Sequence, residues 1–222
     1  MIKIKKHKMS YIKHFVLIVF SAILLTSCLG DKKAMNVSEM NDTGFVNTNF
    51  KSNAINYSKD MSACKNMSTG DIASMYNVSE GMVVFQDNST SDRRVPNSAP
   101  ICTFFIKDGE NDFQWLRGSM NIQREINKDE TAYEVAKAAG NGVEWEEAWA
   151  INKSISRSSE WIPNMGKAAL WNESKTELKI KFDGYTLNVY PIKNKLNKAE
   201  VAKNRDYKKV AIAMAKAAGY VN

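Results

Sequence analysis

The stretch Glu177-Leu-Lys-Ile-Lys-Phe-Asp-Gly-Tyr-Thr-Leu-Asn-Val189 decides the fold class. Leu178, Ile180 and Phe182 alternate with polar residues, and Tyr185, Leu187 and Val189 resume the alternation beyond Asp183-Gly184. A period of two places each apolar set on one face of a strand, and Asp-Gly between two such runs predicts a type I′ hairpin turn. The strands of a parallel sheet are buried on both faces and read instead as unbroken apolar runs. An antiparallel sheet with one face packed is therefore the starting point.

The flanking sequence extends this pattern in both directions. Lys167–Trp171 predicts a strand leaving the Pro163–Gly166 bend. Further upstream, Ser68-Thr69-Gly70-Asp71 supplies capping oxygens and an early acid for a short helix carrying Ile72, Ala73, Met75 and Tyr76. Met82–Phe85 and Ile101–Lys107 read as strands, Asp108-Gly109-Glu110-Asn111 as a turn, and Phe113–Ile126 as a long strand with a bulge at Gly118. Alternation gives Phe113, Trp115, Arg117 and Ser119 one face of that strand. Asp129-Glu130-Thr131 opens a helix with Tyr133, Val135, Ala136 and Ala139 as its apolar face and Gly140 as its end, and an acidic helix follows over Val143–Trp149. A last helix, Ala199–Ala218, presents Val210, Ala211, Met214, Ala215 and Ala218 as a buried stripe. Hairpins with helices set between and after them predict an α+β domain, one antiparallel sheet covered by segregated helices.

The charge distribution narrows the function classes. The 222 residues hold 31 Lys+Arg against 24 Asp+Glu, a net charge of +7. Five of those lysines and both histidines lie in residues 1–27, which contain no acid. Taking the five away leaves 26 basic against 24 acidic residues, a charge of +2, and no histidine. If residues 1–27 are removed, no nucleic-acid partner is expected, and Ser-His-Asp, Cys-His and His-metal chemistry lose their central group.

Removal is what the segment itself suggests. A lysine-rich start precedes the apolar run Phe15–Leu25, which as a helix would be about 16 Å long, short of a ~30 Å hydrocarbon core. The run ends in Leu25-Thr26-Ser27-Cys28. This resembles the lipobox of bacterial lipoproteins. The resemblance implies a signal peptide over 1–27, diacylglycerol on the Cys28 thiol, and acylation of the amine that cleavage exposes. It implies a membrane partner through the lipid, and a place in the bacterial cell envelope. By the same resemblance, Leu29 in place of a retention aspartate implies the outer membrane, facing the periplasm. Residues 28–60, rich in Asn, Ser, Lys, Met and Asp, predict a flexible tether, and 61–222 a single globular domain.

Cys64 and Cys102 remain once Cys28 is lipidated. Two thiols in an oxidising compartment, without C-x-x-C spacing or a histidine to complete a metal site, predict one structural disulfide. Cys64, Cys102, Gly166-Lys-Ala-Ala169 with Trp171, Lys179–Val189 and Val210–Ala218 together resemble small exported lipoprotein domains of unknown function in bacteria, which bring no catalytic residues with them.

Candidate chemistry concentrates at Glu144-Trp145-Glu146-Glu147-Ala148-Trp149, with Glu160 and Trp161 nearby in sequence. Paired carboxylates beside aromatic platforms suit a sugar-binding or glycan-hydrolysing groove, which makes Trp145, Trp149 and Glu146 possible ligand contacts. The competing reading is two inward tryptophans at i,i+4 beside a solvated acidic face. Asp108-Gly-Glu-Asn-Asp112 approaches a calcium ladder but reads as a hairpin loop. Trp115 has the choice of core or a binding face. Ser174-Lys175 lies in a turn and not at a helix start, so it offers no Ser-Lys dyad. No cofactor, metal or catalytic residue is expected. Two functions remain: a non-enzymatic binding or scaffolding lipoprotein, with an envelope protein or a glycan as partner, and a carbohydrate-active one using Glu144, Glu146 or Glu147 with Trp145 and Trp149.

Overall fold

In the computed structural model, which describes residues 43–90, 99–138, 144–193 and 205–222, the hairpin quoted above sits near the middle of a seven-stranded sheet. Its strands are β1 (Val83–Asp87), β2 (Ile101–Ile106), β3 (Leu116–Arg124), β4 (Ser159–Trp161), β5 (Ala168–Asn172), β6 (Glu177–Phe182) and β7 (Tyr185–Tyr190). The order is β1-β2-β3-β7-β6-β5-β4, and every pairing is antiparallel. The helices are α1 (Thr69–Tyr76), α2 (Thr131–Ala138), α3 (Trp145–Ser154) and α4 (Tyr207–Ala217). The expected α+β architecture is the one observed. None of the described helices is long and apolar enough to cross a membrane.

One face of the sheet is apolar across its width. Cys102, Phe104 and Ile106, then Met120 and Ile122, then Leu187 and Val189, then Leu178 and Ile180 follow one another across the register and are buried. Onto this face pack Ile72, Ala73 and Tyr76 of α1 and Ala211, Met214 and Ala215 of α4. The sequence explains both helices locally. The Ser68 hydroxyl accepts from the Asp71 N–H at 3.2 Å and the Asp71 carboxylate accepts from the Ser68 N–H at 2.7 Å, a reciprocal capping box. Asp206 caps α4, and Gly219 at φ +83° turns the chain out of it, with Tyr220 N–H bonded to the Ala215 carbonyl. Buried tyrosine hydroxyls tie the coil segments down: Tyr76 donates to Ile192, Tyr185 to Ile55 and Tyr220 to Ser62.

The disulfide joins Cys64 to Cys102, with Cα atoms 5.7 Å apart. It fixes the segment before α1 to the start of β2, as the cysteine count predicts.

The differences from expectation have physical causes. Gly118 carries no bulge: the β2–β3 register runs through it unbroken, Phe104 opposite Gly118. The glycine is there because a Cβ would come within 2.2 Å of the Phe104 ring and 2.8 Å of the Tyr190 carbonyl. The strand also begins late, since Asp112–Gln114 forms a 3-10 turn first. Trp115 lies outside β3 and half-buried, its ring edge-on to Phe105, with Lys107 Nζ 5.7 Å from its centroid. In the β6–β7 loop only Gly184 takes positive φ, so the turn lacks the two left-handed residues of type I′. The three-residue strand β4 went unpredicted, its Ser-Glu-Trp being too short to show a period.

Two helix expectations change as well. Val135, expected on the apolar face of α2, is 64% exposed, because α2 lies at the rim of the sheet and not on its core face. The start expected for α4 at Ala199, and Ala139–Gly140 at the end of α2, lie outside the described residues. The tether expected over 28–60 needs the largest correction. From Phe45 onward the chain lies along the sheet: Phe45 stacks on Trp161 at 4.0 Å, Asn47 N–H donates to the Lys167 carbonyl, Asn53 exchanges two hydrogen bonds with the Asp183 backbone, and Ile55 is buried. Isolated apolar residues at irregular spacing show no period, yet each fills a separate notch. The part of the expected tether before Thr43 lies outside the described residues.

A candidate binding channel beside the third helix

The second face of the sheet carries the other half of the hairpin alternation: Glu177, Lys179 and Lys181 of β6, then Thr186 and Asn188 of β7. The neighbouring β3 adds Asn121 and Gln123. Helix α3 crosses this face at its β4–β5 end. There Trp149 and Trp145 pack on Ala168, Leu170, Trp161 and Phe45, with Trp149 8% exposed and near-parallel to Trp161. The helix covers the apolar strip and leaves the polar strip open alongside it.

Two adjoining grooves result. The first, about 270 Å³, has Gln123, Lys179, Lys181, Thr186 and Asn188 as its floor and Trp145, Ala148, Trp149 and Asn152 as its wall. The second, about 210 Å³, continues along the C-terminal half of α3 past Ile155, Ser156, Asn172, Ser174, Lys175 and Glu177. Asn152, Leu170 and Lys179 line both, so they form one channel with Lys179 at its midpoint.

The channel floor is held by its own polar bonds. Lys181 is only 3% exposed, and burying an ammonium without partners would be strongly unfavourable. Its Nζ donates to Glu125 Oε2 at 2.8 Å and to the Phe182 carbonyl at 2.9 Å, and lies 5.7 Å from the centroid of Trp145. Asn188 donates to Asn121 Oδ1 at 2.8 Å. The Tyr190 hydroxyl donates to Glu177, and burial first, then the adjoining carboxylate, push the phenol above its ordinary range. Lys179 Nζ stands 3.9 Å from the same Glu177 oxygen.

The N-terminal mouth is framed by exposed ion pairs. Glu144, on which α3 begins, accepts from Lys128 at 2.6 Å. Arg124 grips Glu130 with two parallel bonds of 2.7 and 2.8 Å, which sets α2 and its Tyr133 at the rim. The Arg124 hydrogen bond, with the Asn127 N–H next, lowers the Glu130 carboxyl from its ordinary 4.5 to about 2. A group with a depressed folded pKa contributes its full stability above the unfolded value, and the contribution is lost as pH falls through the folded one. Acidification from pH 4.5 to 2 should therefore release α2 first. Amide-exchange protection over residues 131–138 should fall in that window while that of 177–190 persists, and equal loss in both would contradict the anchoring.

The residues singled out in the sequence separate. Trp145 and Trp149 share one side of α3 and line the channel, as does Glu144. Glu146 and Glu147 line neither groove; they occupy the first turn of α3, where carboxylates complement the helix dipole. Glu160 is engaged with Lys208 at 2.8 Å. Trp145 has Lys167 and Lys181 ammonium groups within 5.7 Å of its centroid, so its ring is partnered by cations. Asp108–Asp112 builds no ligand cage: among the described residues no group of three acidic, cysteine or histidine side chains is placed to hold a metal. Sequence reasoning missed Asn152, Lys179, Lys181 and Asn188. The signal was present in the polar half of the hairpin, since polar residues on central strands require an explanation.

No protein-family model, no curated protein and no solved structure matches the chain.

Proposed function

We propose that the chain is a lipid-anchored protein of a bacterial cell envelope whose folded unit binds a ligand non-enzymatically in the channel beside α3. The lipobox resemblance at Leu25-Thr26-Ser27-Cys28 supports the anchor. The observation that carries the binding role is the channel floor: polar side chains on central strands, fixed by Lys181–Glu125, Asn188–Asn121 and Tyr190–Glu177, beside an open volume. Side chains ordered before a ligand arrives lose little further entropy on binding it. The carboxylates Glu125, Glu144 and Glu177 each already hold a cation or a hydroxyl, which suits recognition better than proton transfer.

The binding role is tested by obstructing the channel where its halves meet. Asn152 is exposed on α3, so Asn152→Trp fills the junction without entering the core. Envelope extract passed over the immobilised full chain should leave material on the native protein and not on the variant, with matching melting curves. Equal retention would contradict the channel's role, and glycan hydrolysis by the native protein would contradict a non-enzymatic one.

The anchor has its own test. Cells given a fatty-acid analogue should label the native chain and not Cys28→Ala; persistent labelling of the variant would remove the lipid from the account.

A further inference from the structure

We propose, building on the channel as a binding site, that its ligand is a short acidic oligosaccharide with one carboxylate seated on Lys179. The charges in the channel point to an anion. Lys181 is committed to Glu125, and Glu144 to Lys128. Glu177 accepts from Tyr190 on the same oxygen that Lys179 approaches only to 3.9 Å, so Lys179 is weakly neutralised. Its side chain keeps 29% exposure at the channel midpoint. Lys175, at the far mouth, has no acidic partner among the described residues. A ligand lying along α3 thus passes Lys179, only weakly paired with Glu177, and Lys175, which has no acidic partner among the described residues, in a cleft where field lines concentrate.

The remaining lining selects the rest of the ligand. The floor consists of interior strands, whose backbone N–H and C=O groups are used in the sheet ladders. A peptide cannot add there as a further strand, which is the usual way an extended peptide is held on a sheet. Recognition falls to side chains. Among the described residues the Gln123 side chain has no partner, and the Asn152 and Asn188 side chains bond only through their amide nitrogens. These groups together offer donors and acceptors side by side, the pattern that vicinal sugar hydroxyls present in return. Because ammonium groups already attend the Trp145 ring, charge and amide contacts, not stacking, carry the selectivity for an acidic over a neutral sugar.

The test uses the full chain and three probes: trigalacturonate, the neutral galactotriose of the same linkage, and triglutamate. Calorimetric titration should show trigalacturonate binding, weakened by rising salt, with the neutral trisaccharide at least tenfold weaker. Lys179→Gln should weaken trigalacturonate at least tenfold, whereas Lys216→Gln on the exposed side of α4 should change nothing. If Lys179→Gln melts early, Lys175→Gln in the exposed loop serves instead, with a smaller loss expected. Equal binding of the neutral sugar, or indifference to both lysine variants, would overturn the proposal. Preference for triglutamate would overturn the sugar while leaving the anion site. Failure of every probe, with Asn152→Trp still losing envelope material, would overturn the ligand class and leave the binding role standing. Failure of both would remove the binding role as well.

Discussion

Trp171→Ala should destabilise the protein by about 3–5 kcal/mol, the range for truncating a fully buried tryptophan. Trp171 is 1% exposed on β5, opposite Leu178 in the register, and its indole N–H donates to Glu173 Oε2 at 2.7 Å. Truncation removes the apolar contact, leaves a cavity against α4's face of the sheet and strands a carboxylate oxygen. For a chain of this size the melting temperature should fall by roughly 6–20 °C. Trp145→Ala, by contrast, removes a half-buried ring at the wall of a groove and should cost much less. Thermal denaturation of the two variants side by side decides the matter. Equal losses would mean that Trp145 belongs to the core and that the channel wall is misassigned.

Loss of the disulfide comes next in size. Cys64 and Cys102 are separated by 38 positions, and closing a loop of that length restricts the unfolded chain by about 4 kcal/mol in the entropy model. Both cysteines are buried, and the bridge fastens the segment leading into α1 to β2. The Cys64→Ala/Cys102→Ala double variant should therefore unfold at lower denaturant with an early loss of α1, and the oxidised native chain should yield one linked peptide pair. Two free thiols in that digest, or unchanged stability of the double variant, would contradict the assignment.

The hairpin was legible because its alternation is strict and both of its strands face the core on one side only. Helix α1 was legible because a capping box is a local signal, complete within four residues. The segment from Phe45 to Ile55 was not, since its ordering comes from partners more than a hundred positions away, such as Gly166, Asp183 and Tyr185. Gly118 was misread for a related reason. A glycine in a strand signals a bulge or a close approach alike, and only the position of Phe104 across the register tells them apart. The channel was half visible. Trp145 and Trp149 stand out as residue types, while Lys179, Lys181 and Asn188 read as the polar side of a hairpin, and only the placement of α3 alongside them makes that side a groove floor.

Site-specific crosslinking in growing cells tests most directly whether the ligand occupies the channel beside α3. A photoreactive residue at Gln123, on the channel floor, should capture an adduct that the same residue at Lys216 on α4 does not, and Asn152→Trp should suppress it. An adduct formed equally from both positions, or one from Gln123 that persists when the channel is filled, would contradict the account.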